Sequence, residues 1–235
     1  MRDRHVRTEP SILYFGTPVV LVSTRNEDGS ANIAPMSSAF WLGWRCVLGL
    51  ASSSRTAENL IRTGECVLNL PSVDEVAPVN RLARLTGASP VPASKAARGY
   101  RHEPRKFEAA GLTQVPSETV SAPRALECPV QLEAVLAARH GLGEDSPWKG
   151  VLYAFEVRIV RVHALPDILM DGFPDRIDPD KWRPLIMSFQ KFYGLAPGQV
   201  HASLLGEIPE ELYRSPDVDR ARSALRDTTP GVCRT

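Results

Sequence analysis

The sequence contains no C-x-x-C pair, although its 235 residues include 4 cysteines: Cys46, Cys66, Cys128 and Cys233. That absence removes zinc-ribbon and dithiol redox motifs from consideration. Long hydrophobic runs are missing too: the longest clean one is Pro18 to Val22, far short of the ~18 apolar residues that a membrane helix requires. The first ten residues, MRDRHVRTEP, are charged with no apolar stretch of signal-peptide length behind them, so export by that route is not expected. Neither sign of charge dominates: 28 Lys and Arg face 27 Asp and Glu, a net charge of +1. This excludes the broad basic field of a sequence-independent nucleic-acid binder and equally a polyacidic tail. The 5 histidines (His5, His102, His140, His163, His201) are scattered, so no metal site is proposed locally. There is no dinucleotide-binding glycine fingerprint after a strand, no P-loop, no nucleophile elbow and no internal repeat.

What is present suits an ordinary globular chain. Hydrophobic residues make up 43% and charged residues 23%, close to the averages for folded soluble proteins. The length allows one large or two small domains with a sizeable core. Proline is the outlier, with 20 residues against the roughly 5% usual in proteins, and predicts many loops and turns. Three of the four cysteines lie in apolar, strand-like contexts, which reads as buried free thiols in a reducing cytoplasm.

Along the chain, Pro18 to Thr24 is β-rich, Asn26 to Gly29 supplies turn chemistry, and Ser30 to Phe40 resumes as one extended segment, predicting a hairpin. Cys46 to Leu50 follows as a third strand, with Gly49 marking a bulge or the close approach of another group. Thr56 to Arg62 has helical spacing, with Ser54 placed to cap its start and Gly64 its end. Glu65 to Leu70 returns to strand, and Val73 to Leu85 is compatible with a second helix. Thr86 to Gln114 shows no sustained period and reads as a long loop with a helical turn at Arg105 to Ala110; a loop of that length covers a site or moves. Val130 to Leu136 and Val151 to His163 alternate like two long antiparallel strands. Beyond Pro166, short helical pieces are expected at Trp182 to Lys191 and Ile208 to Arg214, with a polar, frayed tail from Ser215. Strands at short intervals with few helices point to an antiparallel barrel or sandwich.

Two stretches carry chemistry. Ser52, Ser53, Ser54, Arg55 and Thr56 put hydroxyls, a guanidinium and helix N-terminal amides together, which suits a phosphate dianion; the plainer reading is a Ser-capped helix with a solvated arginine. In Asn32 to Ser38, Pro35 removes a ladder donor and suggests an edge strand, leaving Ser37 and Ser38 able to bond a flat heterocycle; the plainer reading is a frayed edge.

The order and spacing of these stretches resemble the flavin reductase-like, FMN-binding split-barrel family. The likeness runs through Thr17 to Ser23, Asn32 to Ser37, Ser54 to Thr56 with Glu58, Asn59 and Leu60, then Gly64 to Pro71, Lys106 to Thr113, and Ser121 to Glu133. The resemblance implies a mainly β, Greek-key split barrel over residues 10–165 with a few peripheral helices, an intertwined homodimer, and FMN near the subunit interface. Residues 166–235 would form an extension of short helices on the barrel or the dimer partner. By position, Met36, Ser37 and Ser38 would border the isoalloxazine, and Ser53, Ser54, Arg55 and Thr56 would hold the phosphate. Lys106 and Phe107 would lie over or beside the flavin, with Lys106 a candidate to stabilise the reduced anion. Phe192 and Tyr193, followed by Gly194 as the only glycine, stand where relatives have an aromatic, glycine-rich segment.

The implied activity is NAD(P)H:flavin oxidoreduction with no catalytic side chain of its own, since the flavin carries the redox chemistry. The partner would be an acceptor of reduced flavin such as a monooxygenase, with no nucleic acid and no membrane. The alternatives are a non-enzymatic FMN-binding electron-transfer module, or a split barrel holding a haem-related or deazaflavin cofactor.

Overall fold

Residues 19 to 22 are apolar at every position, so a strand built from them needs cover on both faces. In the computed structural model, which describes residues 4–228, it has that cover. Val20 and Val22 of strand β1 (Val20–Arg25) join an inner cluster with Leu48, Leu68, Phe155 and Val157. Val19 and Leu21 join an outer cluster with Ile33, Leu82, Phe107 and Leu185. The other principal strands are β2 (Ala31–Met36), β3 (Ala39–Leu42), β4 (Arg45–Ala51), β5 (Glu65–Leu70), β6 (Val130–Leu142) and β7 (Leu152–Ala164).

These seven strands form one antiparallel sheet in the order β2-β1-β5-β6-β7-β4-β3. Its two edge strands are consecutive in the chain, joined by Ser37 and Ser38 alone. Such a link spans at most about 11 Å, so the sheet curls until its edges come close without pairing. The result is a mainly β, Greek-key split barrel. Pro35 sits on the β2 edge strand opposite Leu21, where a missing ladder donor is tolerated. Register shifts at Glu133/Ala134 and Leu136/Ala138 bend the long β6–β7 pair.

Helix α1 (Arg55–Thr63) closes the inner cluster with Ala57 and Leu60. The outer cluster is covered by α2 (Val76–Leu82), α3 (Lys106–Ala110) and Leu185 with Met187. A buried carboxylate pins the loop that follows α3. Glu133 accepts from the Glu118 and Thr119 amides at 2.8 and 2.6 Å, from Thr119 Oγ1 at 2.5 Å and from His163 Nε2 at 2.7 Å. Burial pushes the Glu133 pKa up, but the bonds from His163, Thr119 and the two amides outweigh it and bring the carboxyl down to about 2.

Several expectations change. The segment read as one strand from Ser30 to Phe40 breaks at Ser37–Ser38, because β3 pairs with β4 instead of continuing β2. The Val73 to Leu85 helix is a 3-10 turn over Val73–Glu75 followed by α2. The loop from Thr86 to Gln114 contains the expected turn as α3, and also a helical turn at Ala93–Ala96 and a two-residue parallel pairing of Leu85–Thr86 with Arg101–His102. Trp182 to Lys191 is not helical: β8 (Ile186–Ser188) and β9 (Lys191–Tyr193) form a hairpin, and β8 pairs with the short strand Thr17–Pro18. Phe189 and Gln190 turn it with φ 43 and 66, the geometry of a tight hairpin turn. The tail from Ser215 is helical as α4 (Pro216–Thr228), held to the barrel by buried Ala221 and by Asp217, which accepts from Arg45 Nε at 3.0 Å. Cys46, Cys66 and Cys128 are buried free thiols, and Cys233 lies outside the described residues.

Candidate functional site

The first turn of α1 is set by Ser54, whose extended backbone and side chain, accepting from the Ala57 amide at 3.1 Å, make an ordinary N-cap. Its oxygen is therefore engaged in the cap, and only its proton remains to be donated. Ser53 is exposed beside it. Arg55 is not a solvated arginine. Its Nε donates to the Gly87 carbonyl at 3.2 Å and its Nη1 pairs with Glu58 at 2.9 Å. Thr56 is 3% exposed and its Oγ1 accepts from Asn32 Nδ2 at 3.2 Å. That leaves the Thr56 hydroxyl proton for another acceptor.

Asn32 belongs to a buried amide ladder. Its Nδ2 also donates to Thr24 Oγ1 at 3.1 Å, which in turn accepts from Asn59 Nδ2 at 3.0 Å. The Asn32 Oδ1 is buried without a hydrogen-bond partner. Gly87 fits against it closely: a Cβ there would stand 2.8 Å from Asn32 Oδ1 and 3.2 Å from Arg55 Cγ. The absence of a side chain at position 87 is what lets the loop approach α1 and β2.

A second element brings cations to the same place. Helix α3 packs Phe107 and Ala110 into the outer cluster with Ile33 of β2, and Gly111 at φ 67 ends it. This anchoring buries Lys106 to 2% exposure. Burial, first, and the charge of Lys95, second, push the Lys106 ammonium down to about 7. Lys95 is itself lowered, by burial and then by Arg98, with Glu58 opposing. Its Nζ donates to Thr86 Oγ1 at 3.2 Å, next to Gly87. Among the described residues the Lys106 ammonium has neither an ion-pair partner nor a hydrogen-bond acceptor. A buried cation without an anion is costly, and Lys106 has no carboxylate partner among the described residues, whereas Arg55 has Glu58.

Met36, Ser37 and Ser38 lie at the far end of β2. Met36 lies four positions along the strand from Asn32, about 13 Å at the usual rise. Met36 packs on the inner cluster, Ser37 is half-buried and Ser38 exposed. The Ser38 carbonyl accepts from the Gly49 amide at 2.8 Å, and a Cβ at Gly49 would lie 3.0 Å from Ser38 Cβ. Gly49 thus marks the close approach of β3 to β4. Phe192 packs on the outer cluster, Tyr193 is exposed, and Gly194 leaves room for Val73, whose Cγ1 would be 2.7 Å from a Cβ there.

Of the residues singled out from sequence, Arg55 and Thr56 stand together at the start of α1, and Lys106 is linked to them through Lys95, whose Nζ bonds Thr86 beside the Gly87 that Arg55 holds. Met36, Ser37 and Ser38 stand apart along the seam between the edge strands. Lys95, Thr86 and Gly87 carry no local sequence signal, because the loop that holds them has no period. Only the non-local pairing with Arg101–His102 and the packing of α3 put them against α1. Among the described residues no group of three or more His, Cys, Asp or Glu could hold a metal ion, and no helix is long and apolar enough to cross a membrane.

Comparison with known proteins follows the same outline. Residues 12–194 match the family described as a flavin reductase like domain. An uncharacterized protein, YdfE, of Bacillus subtilis (strain 168) is 38% identical over 192 residues, covering 82% of this chain and 90% of that protein. Among solved structures, flavoredoxin of Desulfovibrio vulgaris (Miyazaki F) superposes with a TM-score of 0.65 at 23% identity, covering 88% of this chain and 99% of that one. Nitrilotriacetate monooxygenase component B from Bacillus cereus gives 0.64 at 24% identity, covering 82% and 89%.

Proposed function

Since the chain belongs to the flavin reductase-like family, we propose that it binds FMN and works as an NAD(P)H:FMN oxidoreductase. The observation that carries this reading is Lys106, 2% exposed and without a carboxylate partner among the described residues, with a second lysine, Lys95, acting on it and the α1 start with Arg55 and Thr56 linked to Lys95 through Thr86 and Gly87. Bound FMN would supply the chemistry, accepting hydride from NADH or NADPH. The protein's part is to bind and orient.

Thr56 donates its hydroxyl proton to the phosphate, held in that orientation by Asn32 Nδ2. Arg55, Lys95 and Lys106 would contribute positive charge. The neighbouring Lys95 favours the phosphate end for Lys106 over the pyrimidine end. Ser53 and Ser54 flank this group with their hydroxyls. Met36, Ser37 and Ser38, about 13 Å along β2, border the ring, so the ligand lies along the seam of the split barrel. No side chain is assigned to proton abstraction or nucleophilic attack.

The seam also supports a homodimer. Edge strand β3 exposes Phe40 at 59% and Leu42 at 81%, directly after Ser38, and exposed apolar edge strands are normally covered. Phe40→Lys with Leu42→Lys is expected to halve the particle mass by light scattering and to weaken FMN binding; an unchanged mass counts against this interface. Residues 166–235 are read as an extension on the barrel. The buried thiols Cys46, Cys66 and Cys128 suit a reducing cytoplasm. Likeness to a monooxygenase component B supports a role in supplying reduced flavin to an oxygenase.

The deciding experiment is the visible spectrum of purified protein with FMN, before and after anaerobic addition of NADH and NADPH. Bleaching near the flavin maximum is expected. A protein that neither binds FMN nor oxidises either nucleotide refutes the proposal. Tight flavin retention without nucleotide oxidation points instead to an electron-transfer module.

A further inference from the structure

The chain is nearly neutral overall, yet between Arg81 and Lys106 it has seven Lys and Arg against a single Glu, Glu103. Four of these cations have structural or pocket roles. Arg81 donates to the Ala110 carbonyl, Arg105 pairs with Glu108, and Lys95 and Lys106 belong to the inner pocket. Arg84, Arg98 and Arg101 remain, all exposed and with no carboxylate partner among the described residues. Of the acids nearby, Glu108 pairs with Arg105 and Glu58 with Arg55, while Glu103 accepts only a backbone amide bond, from Arg105 at 2.9 Å, so one acid stands against three arginines.

The fold brings the chain segments that carry these three arginines together. The Arg101 amide donates to the Arg84 carbonyl at 3.0 Å, within the parallel pairing of Leu85–Thr86 with Arg101–His102. Arg84 Nη1 lies 3.7 Å from where a Gly99 Cβ would stand. Arg98 Nε donates to the Ser94 carbonyl at 2.9 Å, and its guanidinium sits 5.7 Å from the centroid of Tyr100. Of the three, Arg98 lies near enough to Lys95 for its charge to act there. Like charges held together without acids raise the local potential and draw in an anion. Guanidinium groups fit phosphate oxygens in a forked geometry.

We infer that Arg84, Arg98 and Arg101 form a second phosphate subsite, which takes a further phosphate group of an adenosine-bearing nucleotide beside the FMN pocket. The inference rests on the flavin reading, in which the inner pocket takes the one phosphate of FMN and leaves the outer arginines for another. Two sources present this chemistry: the 2′-phosphate of NADPH and the diphosphate of FAD.

The test uses wild-type protein and the Arg98→Ala/Arg101→Ala variant, titrated at fixed ionic strength. FMN-loaded protein receives 2′-phospho-ADP-ribose and ADP-ribose, and flavin-free protein receives FAD and FMN. Wild type is expected to favour the member with the extra phosphate in at least one pair by about tenfold or more, and the variant to lose that preference while keeping its FMN affinity. Preference within the first pair assigns the subsite to NADPH, and within the second to FAD. Wild type that binds FMN but shows no preference in either pair, or a variant that keeps the preference, overturns the inference alone. Wild type that does not bind FMN overturns the flavin reading and this inference with it.

Discussion

Replacing Lys106 with methionine should make the ligand-free protein more stable and the flavin complex weaker. The side chains are close in volume, so packing around Phe107 and Ile33 is largely kept. The free energy at stake follows from the ammonium's pKa, which burial lowers from 10.5 to about 7. Between those values the unfolded chain binds a proton that the folded chain does not, so wild-type stability rises with pH by about 1.4 kcal/mol per unit. Below pH 7 both states carry the proton and the full penalty of the buried charge applies, about 4 to 5 kcal/mol by linkage. Local relaxation and water penetration will reduce it. Urea unfolding of flavin-free wild type and Lys106→Met at pH 6, 8 and 10 should therefore show the variant more stable by at least about 1 kcal/mol at pH 6, with the gap closing toward pH 10. FMN affinity should fall about tenfold or more in the variant, and in wild type it should weaken above pH 7, where binding must take up a proton. A variant less stable than wild type at pH 6, or a gap independent of pH, would refute the reasoning.

Arg55→Ala combined with Thr56→Ala removes a charge and a hydroxyl donor, and FMN affinity should drop by about 1.5 to 3 kcal/mol or more; fluorescence titration checks this, and unchanged affinity counts against the phosphate assignment. Gly87→Ala places a methyl 2.8 Å from the pinned Asn32 amide oxygen, so a loss of about 1 to 3 kcal/mol in stability is expected, together with weaker FMN binding; wild-type behaviour in both would show that the loop can retreat freely. Glu133 is held at about 2 against an ordinary 4.5, so its contribution is fully present above pH 4.5 and is lost as pH falls toward 2. Glu133→Gln should therefore cost about 3 kcal/mol at pH 7, measured by thermal or urea unfolding, with the difference shrinking on acidification.

Much of the barrel is legible from local signals. The cap at Ser54, the Gly64 end of α1, the alternation in β6 and β7, and Pro35 on an edge strand all follow from short-range chemistry that tertiary contacts reinforce. The β8–β9 hairpin was hidden because Phe189 and Gln190 take the left-handed conformation without the Asn-Gly or Asp-Gly pair that usually signals it, and because the partner of β8 is Thr17–Pro18, far away in the chain. Helix α4 was hidden for a related reason: its Asp217 partner, Arg45, lies on another strand. The candidate site divides in the same way. Arg55 and Thr56 announce themselves beside a helix start, and Lys106 stands out through the family likeness. Lys95, Thr86 and Gly87 acquire meaning only when two residues of parallel pairing fold the loop back onto α1.

The pairing of Thr17 with Met187 and the bond from the Val19 amide to the Leu185 carbonyl also order events in time. At a synthesis rate of about 5 to 20 residues per second, some ten to thirty seconds pass between the emergence of β1's leading end and that of its clasp. During that interval the Val19 and Leu21 face waits for Leu185 and Met187 to cover it. A nascent chain halted before Leu185 would therefore present this face to chaperones until the Leu185–Met187 segment emerges and pairs with Thr17–Pro18.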